Sequence, residues 1–138
     1  MLRRLLPAAL LLCCGCGRQA DRPAKPYSGT VVELTAERFG TMGGDTLDLG
    51  RMRSGEVIEK SLRLRNATGG PLTVLAVESS CGCTTVDYDR GAADEGDSIR
   101  FGFRFDSRGM QGWQLKELRV KTDADPRPFR LLIACVVE

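Results

Sequence analysis

The clearest periodicity in this chain runs through residues 99–105, where Ile99, Phe101, Phe103 and Phe105 alternate with Arg100, Gly102 and Arg104. Successive side chains of a strand point to opposite faces, so one face here is wholly apolar, and the three phenylalanines are expected at the centre of a core. Residues 58–66 repeat the pattern, with Ile58, Leu62 and Leu64 inward and Glu59, Ser61, Arg63 and Arg65 outward. The run Asn66-Ala67-Thr68-Gly69-Gly70-Pro71 then turns the chain. Residues 72–77 are apolar on both faces and read as a covered or central strand. Residues 47–49 read as a short edge strand ending at Gly50. After the turn at Asp123-Ala124-Asp125-Pro126, Phe129, Leu131, Ile133, Cys135 and Val137 share one face of a final core strand.

Residues 113–122 are less regular. Trp113 and Leu115 are in step with one another while Leu118 and Val120 are in the opposite phase, which predicts a bulge or bend near Lys116. No segment carries a helical stripe. From Thr30 onward, clusters of Gly, Pro, Asn and Asp recur about every ten residues, the rhythm of a β-sandwich or barrel. The predicted core is led by Leu62, Leu64, Phe101, Phe103, Phe105, Leu131 and Ile133.

The first residues have a different character. Arg3 and Arg4 form a cationic start, an apolar run from Leu5 to Leu12 is broken only by Pro7, and small or thiol residues follow. This is the layout of a signal peptide, and the run is far shorter than the roughly 20 residues that span a bilayer. The stretch Leu12-Cys13-Cys14-Gly15-Cys16 resembles a bacterial lipobox, in which a small residue precedes a cysteine that is lipidated and becomes the mature N-terminus. Cys16, preceded by Gly15, fits best; the alternative is an ordinary secretory signal. The division expected is a lipoprotein signal at 1–15, a flexible tether at 16–29 carrying Pro23 and Pro26, and a single domain at 30–138. The implied location is the bacterial cell envelope, periplasmic or outer-surface, with the membrane as a partner through the lipid anchor. Thiols there can be oxidised.

Composition narrows the function. The chain has 138 residues and 42% hydrophobic content, enough for one core. Lys plus Arg is 20 and Asp plus Glu 18, and loss of Arg3 and Arg4 leaves 18 against 18. A neutral domain has no field with which to gather nucleic acid. There is no histidine, so Ser-His-Asp and Cys-His catalysis within the chain are excluded, and no glycine-rich phosphate cradle is visible. No enzyme activity, no cofactor and no small-molecule substrate are expected. The arginines at 51, 53, 63, 65, 100 and 104 alternate with apolar residues and are balanced by acids, as on solvated strand faces. Trp113, between Gln111, Gly112 and Gln114, reads as a core or edge residue in preference to an exposed anchor for sugar or protein. Asn66-Ala67-Thr68 matches a glycosylation sequon and reads more simply as a turn.

Candidate chemistry concentrates in Ser79-Ser80-Cys81-Gly82-Cys83-Thr84. Three features precede or contain it in order: Leu47-Asp48-Leu49-Gly50 with Ser54-Gly55-Glu56, then Leu62-Arg63-Leu64-Arg65-Asn66 with Pro71-Leu72, then Ser80-Cys81-Gly82-Cys83-Thr84. The turn Glu95-Gly96-Asp97, then Phe103-Arg104-Phe105-Asp106, and Gly109 to Gly112 follow. Over about residues 45–138 the chain resembles the bacterial family called domain of unknown function fifteen seventy-three. That resemblance implies an immunoglobulin-like antiparallel β-sandwich of about seven strands, similar to major sperm protein and hydin-type domains, acting as a scaffold or recognition module. It supplies no reaction. The chain departs from the family at Cys135, where glycine is common.

Cys81 and Cys83 admit three readings. On an extended strand their Cα atoms would lie roughly 6.5–7 Å apart, near or beyond the limit for a disulfide, so a direct bridge needs a bend, which Gly82 can supply. Two close thiolates also suit Cu(I), whereas zinc wants more ligands than Cys81, Cys83 and the possible third thiol Cys135 provide. The third reading, favoured here, is structural: small, largely buried cysteines at a strand end, one of them bridged to Cys135. Nothing between Val77 and Tyr88 sets a cation beside the pair. The main expectation is therefore a non-catalytic envelope module binding a protein or envelope component, and the alternative is a thiol redox or Cu(I)-binding protein working through Cys81 and Cys83.

Overall fold

The computed structural model describes residues 29–42 and 44–138. The predicted signal, Cys16 and nearly all of the tether lie outside the described residues. Eight strands follow in order: β1 (Thr30–Thr35), β2 (Asp45–Met52), β3 (Val57–Ala67), β4 (Val74–Ser79), β5 (Thr84–Tyr88), β6 (Ser98–Asp106), β7 (Gly112–Thr122) and β8 (Phe129–Val137). A single 3-10 turn, Ala36–Arg38, separates the first two. The strands form two four-stranded sheets in the orders β1-β3-β6-β5 and β2-β8-β7-β4, called sheet A and sheet B below. The fold is an all-β sandwich.

The period-two readings of β6 and β8 hold along their lengths, and that of β3 from Leu62 onward. Phe101 and Phe105 are fully buried, Phe103 is 4% exposed, and Leu62, Leu64, Leu131 and Ile133 join them between the sheets. Each such side chain contributes about 1.5–3 kcal/mol when withdrawn from water. The chain also brings in residues that alternation alone did not select. Phe39, just past the 3-10 turn, is buried edge-on against Phe129 with ring centroids 6.0 Å apart.

Four expectations are corrected. The sandwich is not purely antiparallel: β1 lies parallel to β3 and β2 parallel to β8. Residues 72–77 do not form a covered central strand, because β4 is the edge of sheet B and Leu75 is 58% exposed. Their two-faced apolarity comes from a register shift between Val74 and Ala76, where the extra residue Leu75 flips the phase. The bulge therefore belongs to β4, not to β7. From Gly112 to Val120, β7 pairs with β8 without interruption, so Trp113 and Leu115 occupy the outer face opposite to Leu118 and Val120. Trp113 is 65% exposed, so of the expected core or edge role the core placement fails.

Asn66 and Ser107, both buried, are held by hydrogen bonds. Asn66 is fully buried at the end of β3. Its side-chain amide donates to the carbonyls of Gly70 (2.7 Å) and Ala93 (2.9 Å), and its side-chain oxygen accepts from the amide (3.1 Å) and hydroxyl (2.8 Å) of Thr68. A sequon asparagine with this surrounding is a turn pin, as its sequence context suggests. Ser107 plays a like part at the far end, its hydroxyl 2.9 Å from the carbonyls of Arg53 and Glu56.

Candidate functional site

The serine- and cysteine-rich motif is the corner at which the chain leaves β4 of sheet B and enters β5 of sheet A. Each of its residues has a task there. The Ser79 hydroxyl donates to the Cys81 carbonyl at 2.8 Å and lies 3.3 Å from the Cys81 amide, closing a tight local turn. Ser80 caps the neighbouring strand: its amide donates to the Glu117 carbonyl and its hydroxyl accepts from the Glu117 amide, both at 2.9 Å. The Cys83 carbonyl accepts from the Asp106 amide at 2.9 Å, tying the corner to the end of β6.

Between these ties, Cys81 and Cys83 are joined to one another in a disulfide with their Cα atoms 5.2 Å apart. The extended spacing assumed from sequence does not apply, since residues 81–83 form a turn rather than strand. Gly82 has no positive φ, so the bend does not depend on its conformational freedom. Cys135 is buried on the inner face of β8 and unpaired, so the bridge from the pair to Cys135 does not form. Burial pushes the Cys135 thiol above its ordinary value, the mark of a packed, inert cysteine. In this state the two sulfurs of the pair bond to each other and not to a metal. Among the described residues no group of three or more His, Cys, Asp or Glu side chains is placed to hold a metal ion.

Both sulfurs are half-buried. The hydroxyl of the buried Thr84 lies 3.8 Å from Cys81 Sγ and 3.7 Å from Cys83 Sγ. On the Cys83 side a cleft of about 250 Å³ opens, lined by Gly82, Cys83, Thr85, Arg104, Asp106 and Arg108. The local sequence holds no cation near the pair, but the β5–β6 pairing sets Arg104 opposite Thr85, and the end of β6 brings Arg108. Sequence reasoning missed these two because they are more than twenty positions away; the signal available was only their place in and after the strongest strand.

Arg104 and several other arginines also take part in ion pairs. Arg100 meets Asp87 (2.8 Å) and Asp89 (3.1 Å), and Arg104 meets Glu59 at 3.5 Å, around a shallow hollow of about 460 Å³ above Gly102 on sheet A. Arg51 pairs with Glu138, and Arg65 with Glu33 at 3.4 Å. The solvated-face reading of these residues stands.

A second surface lies on the outer face of sheet B. Trp113 faces Val136 and Leu115 faces Ala134 across the β7–β8 ladder, an apolar stripe that ends at the Arg130–Glu117 pair (both contacts 2.7 Å). The Arg130 guanidinium holds the Glu117 carboxyl below the usual carboxylate range. β4 pairs only with Leu118 to Thr122 of β7, and after Ser80 the chain turns away. The half of β7 that carries Trp113 and Leu115 therefore pairs with β8 on one side and has no strand on the other among the described residues.

Comparison with known proteins bears on fold and family. A protein of unknown function from Porphyromonas gingivalis W83 superposes with a TM-score of 0.57 and 21% identity over 67% of this chain and 44% of that one. The Vibrio cholerae proteases VesB and VesC give TM-scores of 0.51 at 15% and 12% identity, over 67% and 65% of this chain but only 30% and 21% of theirs. These are likenesses of fold, and this chain spans less than half the length of each of the three. No curated protein matches. Residues 41–137 match the family described as a protein of unknown function, DUF1573, and the chain belongs to that family.

Proposed function

We propose that this protein is a cell-envelope lipoprotein, anchored through Cys16, whose immunoglobulin-like sandwich is a non-catalytic binding module. Its ligand is an extended segment of a partner protein that adds as a strand to the open half of β7. The observation that carries this reading is the coincidence of an unpaired strand edge with exposed Trp113 and Leu115 on the same residues. An open edge offers main-chain donors and acceptors to a peptide backbone, and alternate side chains of the guest settle on the apolar stripe beside it. Exposed tryptophan is the residue type most often found to anchor such contacts. The absence of histidine from the sequence and the arginine pairing on sheet A favour binding over catalysis.

The oxidised Cys81–Cys83 pair suits an extracytoplasmic address. The anchor follows from Gly15-Cys16, and acylation there supplies the buried methylenes that a polar tether lacks.

Two measurements test the proposal. A photo-crosslinker at position 115 in cells should capture a discrete protein that one at position 63, on the other sheet, does not, and Trp113→Ala should abolish the adduct. Equal capture from both faces, or capture indifferent to Trp113→Ala, overturns the binding surface. Cys16→Ser should block labelling with palmitate and release the protein from membranes; continued labelling overturns the anchor.

A further inference from the structure

We propose that the Cys81–Cys83 bridge is a thiol–disulfide exchange centre, attacked at Cys83 through the arginine-lined cleft by a partner bearing two thiols. The argument does not rest on the anchor or on the β7 surface. It begins with what the bridge does not do. It links residues two apart, so it removes little freedom from the unfolded chain. The corner is already held by the Ser79, Ser80 and Cys83 hydrogen bonds. As a staple the bridge is nearly redundant.

Its surroundings suit exchange instead. Cys83 lines the cleft with Arg104 and Arg108, and Cys81 does not, so the two sulfurs are inequivalent. The cleft walls carry two guanidinium groups and the carboxylate of Asp106, and Arg104 also meets the solvent-exposed Glu59 at 3.5 Å outside the lining. Arg108 reaches Asp106 at 3.5 Å and its side chain is otherwise 81% exposed, which leaves it free to meet an incoming anion. Positive charge draws in a thiolate and stabilises one that forms there. Thr84 sets one hydroxyl within reach of both sulfurs, a donor for either as it becomes a thiolate. Gly82 leaves the approach uncovered: a Cβ built on it meets nothing within 4 Å.

The exchange balances as follows. A partner thiolate attacks Cys83 Sγ, forming a mixed disulfide, and the electron pair of the broken bond leaves on Cys81 Sγ, which takes a hydrogen bond from Thr84 and then a proton from water. The partner's second thiol, deprotonated by water, attacks its own bridged sulfur, closing the partner's disulfide and releasing Cys83 as a thiolate facing Arg104 and Arg108. Two electrons pass from the partner dithiol to this domain, and the partner is oxidised.

The test uses the full chain in detergent with dithiothreitol as the dithiol. Arg104→Gln with Arg108→Gln should slow reduction of the bridge by about tenfold. Gly82→Leu, which has room to fold, should slow it by shielding the cleft. Read position by position by peptide mass mapping, Cys83 in Cys81→Ser should react with iodoacetamide at neutral pH faster than Cys81 in Cys83→Ser, and lose that advantage without the two arginines. Reduction rates within twofold of the parent in both cleft variants, or equal alkylation at positions 81 and 83 of the two serine variants, overturn the proposal. Circular dichroism of each variant confirms that the sandwich is intact where rates are compared.

Discussion

Replacing Asn66 probes the most heavily committed polar side chain of the fold. Asn66→Ala removes two donated hydrogen bonds, to Gly70 and Ala93, and two accepted ones from Thr68. Gly70 lies at the turn, where its carbonyl also has the Thr68 hydroxyl 3.3 Å away, so its loss is partial. The Ala93 bond is buried, and its carbonyl still accepts from the Leu72 amide at 2.9 Å. Net bonds are worth about 1 kcal/mol each, and a cavity is left where the amide stood, so a loss of about 3 kcal/mol follows. Asn66→Asp keeps the shape but deletes both donations and buries a carboxylate. Burial raises the folded-state pKa of that carboxylate above its unfolded value, so the destabilisation is full at neutral pH and is relieved as pH falls through the raised pKa. Urea unfolding of the full chain at pH 7 and pH 5, followed by tryptophan fluorescence and circular dichroism, measures both. A loss below about 1 kcal/mol for Asn66→Ala, or no narrowing of the Asn66→Asp deficit relative to the parent in acid, refutes the pinning argument.

Phe103→Ala, at a site 4% exposed between the sheets, should cost about 3–5 kcal/mol in the same urea assay, a large share of the stability of a domain this size. Thr122→Val should stabilise by about 1 kcal/mol, since the buried Thr122 hydroxyl has no hydrogen-bond partner among the described residues and valine fills the same volume. Acid should destabilise the parent: hydrogen bonding from Arg127 lowers Asp125 from 3.8 to about 2, and Arg130 and Lys121 lower Glu117 and Glu78. Depressed carboxylates contribute stability that is present above their unfolded values and lost as pH falls through the folded ones, so the midpoint should drop between about pH 4 and pH 2, with the Asp125 titration visible by NMR.

Where burial on one face dictated the residues, the fold could be read directly: β6, β8 and the second half of β3 each bury alternate side chains, and their inward apolar positions are in the core. β7 misled because its outer face is also apolar at Trp113 and Leu115, so phase alone suggested a bulge where the ladder is continuous. β4 misled in the opposite sense, since a one-residue slip at Leu75 spreads apolar residues over both faces of an edge strand. The cysteine corner was legible as a place and not as a geometry. An extended-strand distance was applied to residues that turn between sheets, and the arginines facing Cys83 come from β6 and its end, which no window around the motif contains.

The pairing of β2 with β8 has a consequence for how the chain matures. Asp45 finds its partner at Leu131, on the far side of five intervening strands. A ribosome or export channel delivers residues in order, so β2 waits unpartnered through the appearance of every intervening strand, while all four strands of sheet A are complete once Asp106 has emerged. Closing so long a loop places this domain among the slower, topologically complex folders. A half-made sandwich with bare edges is the species most exposed to aggregation and proteolysis, and arrival of the last strand is the event that ends that exposure.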